Sequence, residues 1–254
     1  MRLTVVGCSG SFAGPDSPAS SYLVRAEHEG RTWQVVLDIG AGALGALQRH
    51  IDPRDLDAVV LSHLHPDHCI DLCGLYVVQR YHPDGPSRPL PVYGPTGTGK
   101  RMSEAYGLDD PHAMDTEFDY RDLVHAQPIV IGPFTITPYA VNHPIEAYGL
   151  RVEADGAVLA YTGDTDVCEA LTPLMTGASL VLADSAFVEG RDTAAGIHMT
   201  GATCAQAATT AGGVQRLMLT HIPAWNDPRV CREQAEAVWE GEVELAAPGA
   251  TYEL

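Results

Sequence analysis

The stretch LSHLHPDHCIDL, residues 61–72, places His63, His65, Asp67 and His68 within six positions, directly behind the apolar run Ala58-Val59-Val60-Leu61. The run reads as a buried strand and the polar cluster as the loop leaving its C-terminal end. Strand ends on one edge of a sheet are where ligands from distant parts of a chain converge. An HxH pair alone reads as readily as a solvated turn. HxHxDH gains its meaning from partners elsewhere in the chain.

Three such partners follow. His143 in AVNHP, Asp164 in YTGDTD and His221 in LMLTHIP each stand where an apolar run gives out. Two cations about 3.5–4 Å apart can activate a shared hydroxide and neutralise a phosphoryl centre during in-line attack. Each asks for three or four protein ligands, and neutral imidazole with carboxylate is the natural set for zinc. His63, His65 and His143 make one set; Asp67, His68 and His221 make the other; Asp164, with two oxygens, bridges them. The expectation is two divalent ions, zinc in first place and manganese in second.

Composition narrows the class of partner. The chain has 254 residues, 45% of them apolar, enough for a large core and unlike a disordered chain. Net charge is 15 − 33 = −18. Such a surface repels polyanions, which argues against nucleic acid, while a small anion can still enter a cleft whose local charge is set by metal ions. The six cysteines include no CxxC pair, and no run is long enough for a signal peptide or a membrane span. A reduced cytoplasmic protein without membrane contact is expected. Cys69 and Cys73, four apart, are expected to share a helix face as packing residues.

Strands are read at Arg2–Gly7, Ser21–Ala26, Trp33–Asp38, Ala58–Leu61, Phe134–Val141, Gly149–Glu153, Val158–Thr162, Leu180–Ala183 and Arg216–Leu219. Helices are read at Leu44–Ile51 and His68–Tyr81, after the N-cap Thr200 to Gly212-Gly213, and after Asp227-Pro228 to about Trp239. Residues 82–127, rich in Asp, Pro and Gly, resist assignment. Strands followed by strand–helix alternation, seen twice, indicate two β-sheets face to face with helices outside.

With these motifs in place the sequence resembles the metallo-β-lactamase-fold hydrolases, and within them the ribonuclease Z-like branch. VVGCSGS is similar to that branch's opening strand and glycine turn, VLDIGAG, with Asp38, to its Asp-Gly motif, and SHLHPDH to its metal motif; NHPIEAYGLR, YTGDTD and LTHIP follow in order. The likeness covers nearly the whole chain. It is strongest to the small proteins described as atypical class II cyclic-nucleotide phosphodiesterases, through GPDSPAS, LGALQRH, HLH-DH and LTHIP-W. The resemblance implies one α/β domain over residues 1–254, a four-layer αββα fold of two packed mixed β-sheets flanked by helices. It implies hydrolysis of a 3′,5′-cyclic nucleotide such as cAMP to the 5′-monophosphate by a metal-bridging hydroxide, and a homodimer, the common state in the branch. His198 in GIHMTG matches the branch's extra histidine beside the scissile phosphate. Asp184 in LADSAF falls where the branch usually has Glu to orient it, one methylene shorter. Asp67, His198 and Asp184 are thus the expected catalytic groups.

Other readings compete. A ribonuclease Z holds tRNA with a long arm between the ligands matching His143 and Asp164, and here only residues 144–163 intervene. A lactonase or β-lactamase shares the metal ligands but not the GCSGS opening or the His198 motif. A non-catalytic binding module is the third alternative, against which the whole ligand set speaks. GPTGTGK, Gly94 to Lys100, has P-loop spacing, but Arg101 stands where a Ser or Thr must hold Mg²⁺. Trp225, four residues after His221, can stack on a purine, though packing into the protein wall is the plainer expectation.

Overall fold

Val35, Val36 and Leu37 show how the layers arise. Alternate side chains of a strand face opposite sides: Val35 and Leu37 enter the core between two sheets, and Val36 enters a second core beneath helices. A computed structural model describes residues 1–85 and 88–254. The strands are β1 (Arg2–Gly7), β2 (Ser21–His28), β3 (Arg31–Leu37), β4 (Ala58–Val60), β5 (Leu90–Gly94), β6 (Phe118–Asp122), β7 (Ile129–Ile131), β8 (Phe134–Ala140), β9 (Tyr148–Ala154), β10 (Ala157–Tyr161), β11 (Leu180–Asp184), β12 (Leu217–Thr220), β13 (Val243–Leu245) and β14 (Thr251–Glu253). The helices are α1 (Ala43–Leu47), α2 (Pro66–Cys69), α3 (Leu72–Tyr81), α4 (Thr98–Tyr106), α5 (Leu171–Met175), α6 (Gly201–Ala211) and α7 (Pro228–Glu236).

The strands form two mixed sheets, ordered β14-β1-β2-β3-β4-β5-β6 and β13-β12-β11-β10-β9-β8-β7. Leu3, Val5, Tyr22 and Val60 of the first meet Phe134, Leu150, Leu159 and Tyr161 of the second. Leu47, Leu72, Leu75 and Met102 cover the first sheet's outer face. Leu171, Leu174, Cys204 and Ala205 cover that of the second. This is the expected four-layer αββα arrangement. β10, β11 and β12 run parallel, as do β3 and β4, so the loops after them open on one rim.

Some local expectations need correction. The helix expected over His68–Tyr81 is two helices, because the His68 carbonyl accepts from Ile39 N–H at 2.8 Å instead of continuing the helix. Asp71 then turns back to Leu44, accepting its N–H at 2.9 Å. Cys69 and Cys73 consequently lie on different helices, with Cys69 packed into the core beneath the helices. Residues 82–127 contain β5, α4 and β6, whose periodicity is masked by Pro, Gly and Asp at their boundaries. The GPTGTGK stretch is simply the β5–α4 turn, with exposed Lys100 3.9 Å from Glu104. Both expected caps are present: Thr200 makes a capping box with Thr203, and Asp227 accepts from Arg229 N–H.

Candidate metal centre

The rim gathers all seven donors read from the sequence. Ser62 and His63 follow β4, α2 carries Asp67 and His68, and His143, Asp164 and His221 follow β8, β10 and β12. They fall into two groups whose ligating atoms lie within 4.8 Å of one another, His63–His65–His143 and Asp67–His68–Asp164–His221. Asp164 touches both: its Oδ2 is 3.7 Å from His63 Nε2 and 3.1 Å from His221 Nε2, and its Oδ1 is 3.1 Å from His68 Nε2.

Hydrogen bonding behind the histidines reveals which nitrogen of each faces the centre. Asp38 is fully buried and accepts from Ser62 N–H (2.6 Å), Ser62 hydroxyl (2.8 Å), Tyr161 hydroxyl (2.6 Å) and His68 Nδ1 (2.7 Å). A carboxylate accepts only, so His68 presents a proton to it at Nδ1. With its proton committed to Asp38, Ser62 Oγ accepts from His63 Nδ1 at 3.0 Å. His143 Nδ1 donates to the Ile197 carbonyl at 3.0 Å. His221 Nδ1 meets Ser20 Oγ at 3.0 Å. Each partner leaves Nε2 pointing inward, the arrangement by which outer partners orient metal-ligating histidines.

The residues fit divalent cations. His63 Nε2 and His143 Nε2 stand 3.0 and 3.1 Å from His65 Nδ1, three ring nitrogens gathered at one point. Burial foremost, and neighbouring histidines with it, hold His63 well below the usual histidine range; burial also lowers His65 and His143. Neutral imidazoles are what a metal requires. In the second group His68 Nε2 and Asp164 Oδ1 are buried without a hydrogen-bond partner of acceptable geometry. Burial would lower His68, but Asp164 and Asp38 beside it win and raise it well above its ordinary range. Buried Asp38, Asp67, Asp164 and Asp184 call for positive charge at the centre.

His198 and Asp184 stand beside this array. The shorter Asp side chain reaches the histidine, with Nδ1 to Oδ2 2.9 Å and Nδ1 to Asp164 Oδ2 4.0 Å. Asp184 also accepts from the Thr165 and Ala186 N–H groups, both at 3.1 Å, which fixes its carboxylate. Burial opposes a charge on His198, but Asp184 overcomes it and the pKa is pushed up to about 9. Tyr148 and Arg151 take no part: Tyr148 bonds to Leu123 and Glu146, and Arg151 to the carbonyls of Leu174 and Thr176. Trp225 corrects the expected wall packing, being 66% exposed.

Asp38, Ser62, Tyr161 and Ser20 escaped the reading of roles from sequence. Only Asp38 carried a signal, in its match to VLDIGAG. Asp38→Asn is the resulting test, since an amide cannot accept from four donors. Loss of an outer partner typically costs about 10–100-fold in metal affinity. Disrupting a buried charged network costs about 3–5 kcal/mol, or a fall in Tm of about 10 °C for a chain of this size. Metal titration and thermal melting check both. Unchanged values would mean that Asp38 does not organise the centre.

Comparison with known proteins places this geometry in a family. The model of the β-lactamase superfamily domain matches residues 34–222. The Mycobacterium tuberculosis protein Rv1339 is 42% identical over 258 residues, covering 100% of this chain and 92% of that one. Ribonuclease Z of Mycobacterium bovis is 28% identical over 202 residues, 72% of this chain and 69% of that one. The crystal structure of the metallo-β-lactamase fold protein YhfI from Bacillus subtilis superposes with a TM-score of 0.86 at 27% identity, over 99% of both chains. Fold, donor clusters and sequence agree, and the chain belongs to the β-lactamase superfamily as a metallo-hydrolase of that fold.

Proposed function

We propose that the chain hydrolyses 3′,5′-cyclic nucleotides, cAMP among them, to 5′-monophosphates with two divalent ions, zinc being the best match to its donors. The observation that carries the reading is the His198–Asp184 pair, with His198 Nδ1 4.0 Å from Asp164, the carboxylate lying between the two donor groups. Phosphodiester hydrolysis needs charge neutralised at phosphorus and a proton for the departing oxygen, and the two features answer these needs separately. His63, His65 and His143 would hold one ion, Asp67, His68 and His221 the other, and Asp164 both. Ions bound there would supply Lewis-acid charge for the phosphoryl oxygens and lower the pKa of water. His198 spends Nδ1–H on Asp184, so Nε2–H is left to protonate the 3′ oxygen or bind a phosphoryl oxygen.

The interval between His143 and Asp164 favours a small substrate. Residues 144–163 are largely used by the β9–β10 hairpin, with no length for an arm that holds tRNA. The charge of −18 argues the same way. A ribonuclease Z-type activity is the second reading, favoured by the 28% identity to that enzyme. Assays of the metal-loaded protein on cAMP, cGMP, a precursor tRNA and a chromogenic diester separate the two. Cyclic nucleotides are expected to be cleaved and the tRNA left intact. Cleavage at the tRNA 3′ end with cyclic nucleotides untouched would replace the proposal.

A further inference from the structure

Two exposed aromatic side chains stand on the loops that carry Ser11 and His221. The rings of Phe12 and Trp225 lie 4.8 Å apart at 43°, with Phe12 39% and Trp225 66% exposed. A lone exposed apolar residue needs no explanation, but an exposed pair on braced turns does. Trp225 sits in a turn closed by Asn226 N–H to the Pro223 carbonyl at 2.8 Å. The buried Asn226 side chain donates to the Ala186 carbonyl and accepts from Arg191, both at 2.8 Å. Phe12 donates its N–H to the Gly10 carbonyl at 2.7 Å, and Ser11 between them has φ 62. A non-glycine residue in that conformation persists where its surroundings over-determine it.

Here the surroundings are the metal centre. Ser11 N lies 3.3 Å from His221 Nε2, and that ring nitrogen is 3.1 Å from Asp164 Oδ2. A Cβ on Gly10 would lie 2.2 Å from the His221 carbonyl oxygen, so glycine is required for the turn to sit this close. A Cβ on Gly14 would meet Ala224 at 3.2 Å, so the Phe12 and Trp225 loops also press on each other. Phe12 is one residue beyond the contact with His221, about 3.8 Å of backbone. Trp225 is four residues beyond it along the other loop. The aromatic surface and the donor clusters are built from the same two segments.

We infer that Phe12 and Trp225 form a platform on which the base of a nucleotide stacks while its phosphate lies at the metal centre. The inference rests on the phosphodiesterase reading and adds the residues that select a nucleoside over other diesters. Every base offers a π-face, and rings already held in place lose little freedom on stacking. Stacking also supplies affinity that a net charge of −18 does not oppose, whereas long-range attraction to a phosphate is denied to this chain.

Kinetics of Trp225→Ala test the platform. Base stacking is far from phosphorus, so KM for cAMP is expected to rise about 10–100-fold with kcat within about twofold of wild type. Trp225→Phe should restore most of the loss. Ribose 3′,5′-cyclic phosphate without a base should be cleaved equally by wild type and Trp225→Ala, whereas a disturbed loop would slow both substrates. An unchanged KM for cAMP, or an equal loss on the base-free diester, would overturn the platform and leave the phosphodiesterase reading standing. If no cyclic nucleotide is hydrolysed, tryptophan fluorescence of the wild type decides. Quenching by 5′-AMP but not by ribose 5-phosphate, lost in Trp225→Phe, would support the platform while the reaction reading fails. Absence of quenching in the wild type would overturn the platform.

Discussion

Asp164→Ala is expected to leave the protein with fewer than two equivalents of divalent metal and to cut turnover by about 10³–10⁴-fold or more. Asp164 lies within reach of both donor groups, 3.7 Å from His63 and 3.1 Å from His68 and His221. Without it neither group keeps a shared anionic ligand. Lewis-acid stabilisation is worth several kcal/mol, and each 1.36 kcal/mol is tenfold in rate. Elemental analysis and steady-state kinetics are the measurements. Two retained ions with full activity would sink the assignment of Asp164 as the shared ligand.

The same residue makes acid sensitivity of the metal-free chain predictable in sign. Burial pushes the Asp164 carboxyl up, but His221 and His68 outweigh it and hold it well below the usual carboxylate range. A carboxyl held low contributes stability above its unfolded pKa and loses it as pH falls. Chelated wild-type protein should therefore lose Tm on acidification below about pH 4. Chelated Asp164→Ala should lose less over that interval.

His198→Ala is expected to keep both ions and the fold while kcat falls by about 10²–10⁴-fold, the usual worth of a positioned acid or of charge stabilisation. Metal content is the decisive control, because His198 also lies within ligating distance of Asp164, Asp184 and His221. A drop in bound metal would make it a ligand instead. Leaving-group dependence then separates two roles. If Nε2–H protonates the 3′ oxygen, the loss should shrink for a nitrophenyl diester, whose leaving group hardly needs a proton. An equal loss on both substrates would mean that His198 binds phosphoryl oxygens. Asp184 holds the His198 pKa up to about 9. Asp184→Asn should therefore bring the alkaline limb of the rate profile to lower pH.

Much of this protein is legible in one dimension because its chemistry sits where local patterns end. His63, His143, Asp164 and His221 each follow an apolar run, and His65, Asp67 and His68 complete the HxHxDH spacing, so these seven candidate ligands can be picked out from residue type and position. The αββα layering is legible too, since period-two alternation at Val35-Val36-Leu37 separates one core from another. Thr200 and Asp227 announce their helices by capping chemistry that needs no tertiary context.

Tertiary structure alone decided what depends on contacts between distant segments. The helix after the metal motif breaks because Ile39, far back in the chain, takes the His68 carbonyl. The three-residue strands β7, β13 and β14 carry too few side chains to show a period, and exist through pairing with β8, β12 and β1. Asp38, read from the sequence only as a strand end and as the match to VLDIGAG, is the acceptor that sets the His68 tautomer and, through Ser62, that of His63. Trp225 was expected to pack inward, and a loop 210 residues upstream of His221 instead brings Phe12 against it in water. Residue type selects which atoms can bind a metal or a base; only the folded chain fixes which lone pair, proton or ring face each one presents.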